Sequence, residues 1–220
     1  MRKALLLLVL VCSHPFFAKA QSNPPVYDHR IIAVLPVRAV LAEYRNLSDS
    51  SIQAFRALEV KYGGQLQEAL YQTITGDTNR ILVEVQPWQT TDSILKRAGI
   101  DPLKIPWLDI SAIAKVLKVD ACIVTIMGRT RQSPTTVFGG STMPVMLATG
   151  VATTAASALM NRANRDNKVF RFSLMDGKSG NEIWTFTQTV MANELVLEKD
   201  KMVFSSAIFK KFKKRFPYCD

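Results

Sequence analysis

The chain has 220 residues, with 28 Lys or Arg against 18 Asp or Glu and a formal net charge of +10. That length holds one hydrophobic core, with room for a decorated insertion. With 3 Cys and 2 His in all, the composition excludes a disulfide scaffold and offers no cysteine or histidine spacing for a metal site.

The chain begins with the basic residues of Met1-Arg2-Lys3, followed by an unbroken apolar run over 4–11 and the small-x-small site Ala18-Lys19-Ala20. These are the three parts of a secretory signal peptide, so residues 1–20 are expected to be removed and the mature chain to begin near Gln21. The apolar run is too short for a membrane span. Removal takes Arg2, Lys3 and Lys19 and no acid, which leaves 25 − 18 = +7. Cys12 follows Val11, where a lipobox wants a small residue, so lipidation there is not expected. The expectation is an exported, periplasmic protein, at most peripheral to the outer membrane and not a lipoprotein. For a basic exported chain the counter-charge is an anionic head group, lipopolysaccharide or an acidic protein, and not nucleic acid.

Residues 21–29 contain Pro24 and Pro25 and read as an extended leader. Arg30 to Val37 is β-branched and stopped by Pro36, which fits a buried strand. Residues 38–51 read mainly as loop, with a sequon at Asn46-Leu47-Ser48. Over 57–74 Leu58, Tyr62, Leu66, Ala69, Leu70 and Ile74 recur at helical spacing, and Gly63-Gly64 weakens the helix. A turn over 76–79 leads to a strand over 81–85. Thr91-Asp92-Ser93 caps a short helix that Gly99 ends, and Asp109 caps another over 110–117. Residues 121–127 are continuously apolar apart from Thr125, as in a central strand covered on both faces. Within that run Cys122 reads as a small buried hydrophobe; its pairing with Cys219 is open, because spacing cannot establish the geometry. Residues 169–174 and 182–190 alternate apolar with polar and are joined by Asp176-Gly177-Lys178-Ser179-Gly180, which predicts a hairpin with one wet face. A basic amphipathic helix over 202–216 closes a single domain over 30–220.

This order of elements resembles a known envelope module. Ile31-Ile32-Ala33-Val34-Leu35-Pro36 is similar to the opening strand of the TolB N-terminal and CsgG-like families. Val119-Asp120-Ala121 leading into a strand that ends at Gly128, and the hairpin segment from Leu174 to Trp184, resemble the same families. The resemblance covers most of 30–190 and implies an α/β (α+β) fold, a mixed sheet with packed helices. Such domains occur in periplasmic adaptors, pore-forming secretion lipoproteins and lipoprotein activators of cell-wall synthases. The neisserial surface-lipoprotein family is a further resemblance, since it carries a small-residue apolar insertion in a comparable place. The lack of a good lipobox departs from the lipoprotein members.

Little here could perform catalysis. His29 is the one histidine left after cleavage and reads as a surface residue ahead of the first strand. Asp109 and Asp120 fit a cap and a turn better than an acid and a base. No G-x-S-x-G elbow or phosphate loop is present. Two segments remain as binding candidates. The insertion over 132–165 is alanine-rich and apolar; Ala148, Ala152 and Ala156, and Gly150, Thr154 and Ala158, recur every four residues. On a helix these are small faces that allow close approach, with Met143, Val145, Leu147 and Leu159 as apolar flanks. Such a helix would pack on its own domain, form an oligomer or membrane-surface interface, or span a bilayer. The terminal helix sets Phe204, Ile208, Phe212 and Phe216 four apart among Lys210, Lys211, Lys213, Lys214 and Arg215, so its phenylalanines dock on the sheet while its cations face water or anionic head groups. The expectation is therefore a non-catalytic exported envelope protein without a cofactor, binding an envelope protein, another copy of itself or an anionic membrane surface. A membrane-associated secretion or pore component is the alternative, and an exported hydrolase comes after it.

Overall fold

The computed structural model describes residues 28–41, 48–76, 81–129, 167–197, 202–204 and 207–219. In chain order the elements are β1 (Ile31–Val34), β2 (Arg38–Ala39), α1 (Asp49–Thr75), β3 (Glu84–Gln86), α2 (Trp88–Arg97), a 3-10 turn (Pro102–Trp107), α3 (Ile110–Leu117), β4 (Ala121–Arg129), β5 (Lys168–Asp176), β6 (Glu182–Val190), β7 (Leu195–Leu197), β8 (Met202–Phe204) and α4 (Ala207–Lys213). The main sheet is open and mixed, in the order β3-β1-β4-β5-β6, with β2 also on β4. β1 runs parallel to β3 and β4, whereas β5 runs antiparallel to both β4 and β6. Pro36 has no N–H to give the ladder, so the strand breaks there. Leu35 N–H still donates to Ile123 O, pairing resumes with Arg38 opposite Ile126, and Val40 N–H donates to Met127 O.

Strand alternation divides the core between the two faces of the sheet. On one face Ile32, Val34, Ile123, Phe170, Phe172 and Leu174 pack against Tyr62, Leu66, Leu70 and Ile74 of α1 and Ile208, Phe209 and Phe212 of α4. On the other, Ala33, Leu35, Cys122 and Val124 meet Leu95, Ile105, Ile113 and Leu117 from α2, the 3-10 turn and α3. That second helical layer covers β3, β1 and β4 but leaves Thr185, Thr187 and Thr189 of β6 exposed, giving the β5–β6 hairpin its wet face.

Helix α1 starts eight residues before the apolar periodicity begins. Ser48 caps it, accepting from Ser51 N–H at 3.4 Å, and Asp49 sits in the first turn, where a carboxylate favours the positive end of the helix dipole. The helix also passes unbroken through Gly63-Gly64. A Cβ on Gly63 would lie 2.3 Å from the carbonyl oxygen of Val37, whereas one on Gly64 would meet nothing within 4 Å. Gly63 is therefore where the helix backbone crosses the β1–β2 corner, accepting from Val37 N–H at 3.3 Å. The close approach offsets the low helix propensity of that glycine.

One turn earlier α1 buries a charge. Glu59 has 0% exposure; its Oε2 accepts from Arg38 Nη1 at 2.5 Å and its Oε1 from Leu41 N–H at 2.9 Å. Arg38 Nη1 also donates to Ala39 O at 3.1 Å, and its guanidinium lies 5.9 Å from the centroid of the Trp107 ring. The pair clamps β2 to α1.

Two other boundaries differ from the sequence expectation. Helix α2 begins at Trp88 behind Pro87, so Thr91 lies inside it, buried, with its hydroxyl donating to Gln86 Oε1 at 2.8 Å. Residues 202–216, expected as one helix, hold β8, paired antiparallel with β7, and the shorter α4. Met202-Val203-Phe204 is a β-prone triplet, and Ser205-Ser206 favours caps over helix interiors. The signal peptide, the insertion over 132–165 and most of the leader lie outside the described residues.

Two stability measurements check these contacts by urea unfolding. Gly63→Ala should lower stability by about 1–3 kcal/mol through overpacking, while Gly64→Ala should raise it by roughly 0.5–1 kcal/mol through helix propensity. Glu59→Ala should lose about 3–5 kcal/mol because it strands the Arg38 charge, and a double replacement of Arg38 and Glu59 by apolar residues should recover most of that loss.

Candidate functional site

Helix α4 and the turn after it present the densest charge among the described residues. Ile208, Phe209, Phe212, Phe216 and Tyr218 are buried, whereas Lys210, Lys211, Lys214 and Arg215 are exposed and Lys213 is half-buried. The apolar side is fixed by ring packing: Phe212 lies 4.6 Å from Phe172 and 5.0 Å from Phe216, centroid to centroid, and Trp184 touches both Phe212 and Phe216 at 5.8 Å. These edge and offset contacts suit the aromatic quadrupole and lock the helix to β5 and β6. Among the described residues no carboxylate pairs with the five cations. The result is a solvent-facing cationic surface whose apolar neighbours Ile208, Phe209 and Phe212 are all taken into the core.

At the end of the sheet where β1 and β4 begin, a second polar cluster joins distant parts of the chain. His29 Nε2 lies 3.1 Å from Asp176 Oδ1, and His29 Nδ1 is hydrogen-bonded to the Tyr218 hydroxyl. The two partners use both ring nitrogens, as a histidine with Nε2–H donating to the carboxylate and the phenol donating to Nδ1. Asp176 also accepts from the Ser179 N–H at 2.7 Å and the Ser179 hydroxyl at 2.6 Å. The Ser179 hydroxyl, then its backbone N–H, then His29 hold the Asp176 carboxyl down to about 2. Alongside, Asp120 accepts from the N–H groups of Ile31 (3.0 Å) and Arg30 (2.8 Å), which keep its carboxyl below the usual range. Gly177 N–H donates to Asp120 O at 2.7 Å, an approach so close that a Cβ on Gly177 would sit 2.6 Å from that oxygen.

An Asp–His–Tyr arrangement has the order of a proton relay, but the Tyr218 side chain is buried against Phe216 and His29. The cluster fastens β1, the β5–β6 turn and the segment after α4. The surface position expected for His29 is thus corrected: its side chain is only 9% exposed. No local signal pointed to this, since its partners lie 147 and 189 residues away. Asp109 does cap α3, accepting from Ser111 N–H at 2.9 Å. Burial pushes the Cys122 thiol up to about 12, which removes it as a nucleophile; Cys122 and Cys219 are not joined to each other. Among the described residues no catalytic group is assembled and no cluster of His, Cys, Asp and Glu could hold a metal ion. Nor, among those residues, is any helix long and apolar enough to cross a membrane.

The structure places Lys210, Lys211, Lys213, Lys214 and Arg215 on one surface. Met143, Val145, Leu147, Ala148, Gly150, Ala152, Thr154, Ala156 and Leu159, the other binding candidates, lie outside the described residues. Besides the His29 cluster, sequence reasoning missed the buried Arg38–Glu59 pair and Lys168, which is buried with Nζ donating to Leu195 O at 3.3 Å. Lys168 opens an otherwise alternating strand, and its phase with Phe170 and Phe172 was the available signal that it points into the core.

No family model matches the chain, and no curated protein matches it. Among solved structures it is distantly similar to lipoprotein GNA1162 from Neisseria meningitidis, at 10% identity and a TM-score of 0.39, over 84% of this chain and 92% of that one. It is similar also to the LpoB C-terminal domain from Salmonella enterica, at 9% identity and a TM-score of 0.33, over 74% and 82% of the two chains. The similarity is to structures of this kind and not specifically to TolB or CsgG. It also corrects one expectation: the exclusion of a lipoprotein, drawn from Val11 ahead of Cys12, is withdrawn against a match that is itself a lipoprotein.

The Asp176 cluster makes stability depend on acid pH with a definite sign. A carboxyl whose folded value, about 2, lies below its ordinary 3.8 adds stability above the ordinary value and loses it as pH falls through the folded one. The melting-temperature advantage of the native chain over Asp176→Asn should be constant from pH 5 to 7 and shrink between about pH 4 and 2.

Proposed function

We propose that this chain is a non-catalytic component of a cell-envelope assembly and works by binding. In this reading the domain belongs to the TolB N-terminal and CsgG-like kind of envelope module, exported by the segment over 1–20. It presents two contact surfaces, the cationic face of α4 and the insertion over 132–165. The observation that carries the reading is the division of labour on α4: Ile208, Phe209 and Phe212 are buried in the core, while four of its five neighbouring cations stand exposed without a carboxylate partner among the described residues.

That division selects a mode of contact. An interfacial membrane helix buries its apolar face in the acyl boundary, and Ile208, Phe209 and Phe212 of α4 are already buried in the core. Its contact with a membrane is electrostatic, made to head groups from above the surface and weakened by salt. An anionic phospholipid surface fits, with each basic residue contributing on the order of 1 kcal/mol. The insertion, with its small residues every four positions, is the surface for an envelope protein or a second copy.

Sedimentation with vesicles tests the first surface. The chain should bind vesicles containing phosphatidylglycerol, leave neutral phosphatidylcholine vesicles unbound and be released by about 0.5 M salt. Replacing Lys210, Lys211, Lys214 and Arg215 together by Gln should weaken binding up to roughly a thousandfold, at about 1 kcal/mol for each charge. Equal binding by both proteins would remove the basic face from the reading. Deleting residues 144–160 should abolish envelope association or self-assembly with the fold intact; unchanged fractionation would remove the insertion.

A further inference from the structure

Past the short edge strand β3 the two helical layers meet each other. β3 ends at Gln86, opposite Ala33 of β1, so Val34 has no strand beside it on that side. Leu35 N–H donates to Ile123 O of β4 at 3.0 Å, and the carbonyl of the same peptide, Val34 C=O, therefore points the other way, to where β3 has stopped. Gln67 of α1 stands in for the missing strand: it has 0% exposure, and its Nε2 donates to Val34 O at 2.9 Å. A carbonyl only accepts, so this bond fixes which end of the Gln67 amide is the nitrogen.

Helix α2, from the other face of the sheet, brings Asp92 to the same place, and the Gln67 side chain is hydrogen-bonded to the Asp92 carboxyl. Gln67 Oε1 and Asp92 Oδ1 are both buried, and neither has a hydrogen-bond partner among the described residues. By elimination the bond between the two side chains runs from Gln67 Nε2–H to Asp92 Oδ2, while the other Nε2 hydrogen serves Val34 O. An amide and a carboxylic acid have complementary edges, N–H beside C=O on one and C=O beside O–H on the other, and two parallel hydrogen bonds close a ring between them. The first of these bonds is in place. What the second lacks is a hydrogen for the two orphaned oxygens, which are costly to leave unpaired away from water.

We propose that the junction of α1 and α2 is a proton-operated joint: in acid Asp92 takes up a proton on Oδ1 and donates it to Gln67 Oε1, and at neutral pH the carboxylate leaves both oxygens unpaired. Burial, the first cause, pushes the Asp92 carboxyl above its ordinary 3.8, while the Gln67 bond draws it down. Within two turns of Gln67, α1 carries Lys61, Tyr62, Glu68 and Tyr71; α2 carries Lys96 and Arg97, α3 carries Lys115, and β1 carries no titratable group. None of them is among the causes of the shift. A carboxyl whose folded value lies above the ordinary one costs nothing below 3.8 and costs stability as pH rises through the range above it, the reverse of Asp176. The joint goes beyond the binding reading and does not depend on it.

Carboxyl carbon-13 NMR of the full chain, titrated from about pH 7 to 3, reads Asp92 directly. It should titrate above 3.8, and a value at or below 3.8 overturns the proposal. Thermal unfolding of two variants separates the pair from the simple loss of a buried charge. Asp92→Asn carries a permanent N–H where the proton would sit, so it should melt about 2–4 °C above the native chain at neutral pH and level with it near pH 3. Asp92→Ala removes the charge but leaves Gln67 Oε1 unpaired, so it should melt below Asp92→Asn at both pH values and below the native chain in acid. An alanine variant equal to the asparagine one, or an asparagine gain that does not shrink in acid, overturns the pairing. Should either variant fold poorly, the titration of the native chain decides.

Discussion

β4 carries the architecture because it satisfies three neighbours at once. It pairs with β1 and β2 along one side and with β5 along the other, while Cys122 and Val124 face one helical layer and Ile123 and Met127 face the opposite one. An unpaired group away from water in that position costs about 1–3 kcal/mol, and the strand carries one such group over 121–127, the buried Thr125 hydroxyl, which has no hydrogen-bond partner among the described residues. Its run of Ala, Cys, Ile and Val is the sequence's answer to that constraint. The other elements either extend its ladder or cover one of its faces.

What the sequence disclosed follows from the range of the forces involved. The central strand, the wet-faced hairpin and the Asp109-capped helix were legible because their signals are local: a continuous apolar run, period-two alternation, and a carboxylate two residues before the N–H it accepts. The start of α1 was missed although Ser48 and Asp49 are good capping residues, because the apolar stripe begins later. Gly63 was read as a weak point in the helix, and only the Val37 carbonyl across the corner shows it as a close-packing requirement. The terminal segment was drawn as one helix because its phenylalanine spacing of four runs through residues that pair as β8. Of the candidate surface, the cations were visible in the sequence; what was not visible is that the core takes up Phe209, Phe212 and Phe216 beside them.

That last point separates two kinds of amphipathic helix that sequence alone cannot tell apart. A free helix with the composition of α4 would show both faces to its surroundings and could insert into an acyl layer. A docked one shows a single face, and the energetics of its contacts change from burial of apolar area to screened Coulomb attraction. The ring contacts from Phe212 and Phe216 to Trp184 and Phe172 decide the matter for this chain. Any partner therefore meets charge held in fixed positions.

The link between His29 and Tyr218 spans 189 residues, and the same region pairs Ile81 with Cys219 and Leu82 with the Tyr218 carbonyl. Contacts of such sequence separation raise the contact order of a fold and slow its closure. Until the segment around 208–218 docks, Phe170 and Phe172 of β5 and Trp184 of β6 lack the cover of Phe209, Phe212 and Phe216. A chain leaving a ribosome or a narrow channel from its N-terminus would thus hold those rings uncovered until residues 208–218 emerge. That face of the sheet closes on the arrival of one short helix, and the exposed rings are in the interval a surface for a holdase.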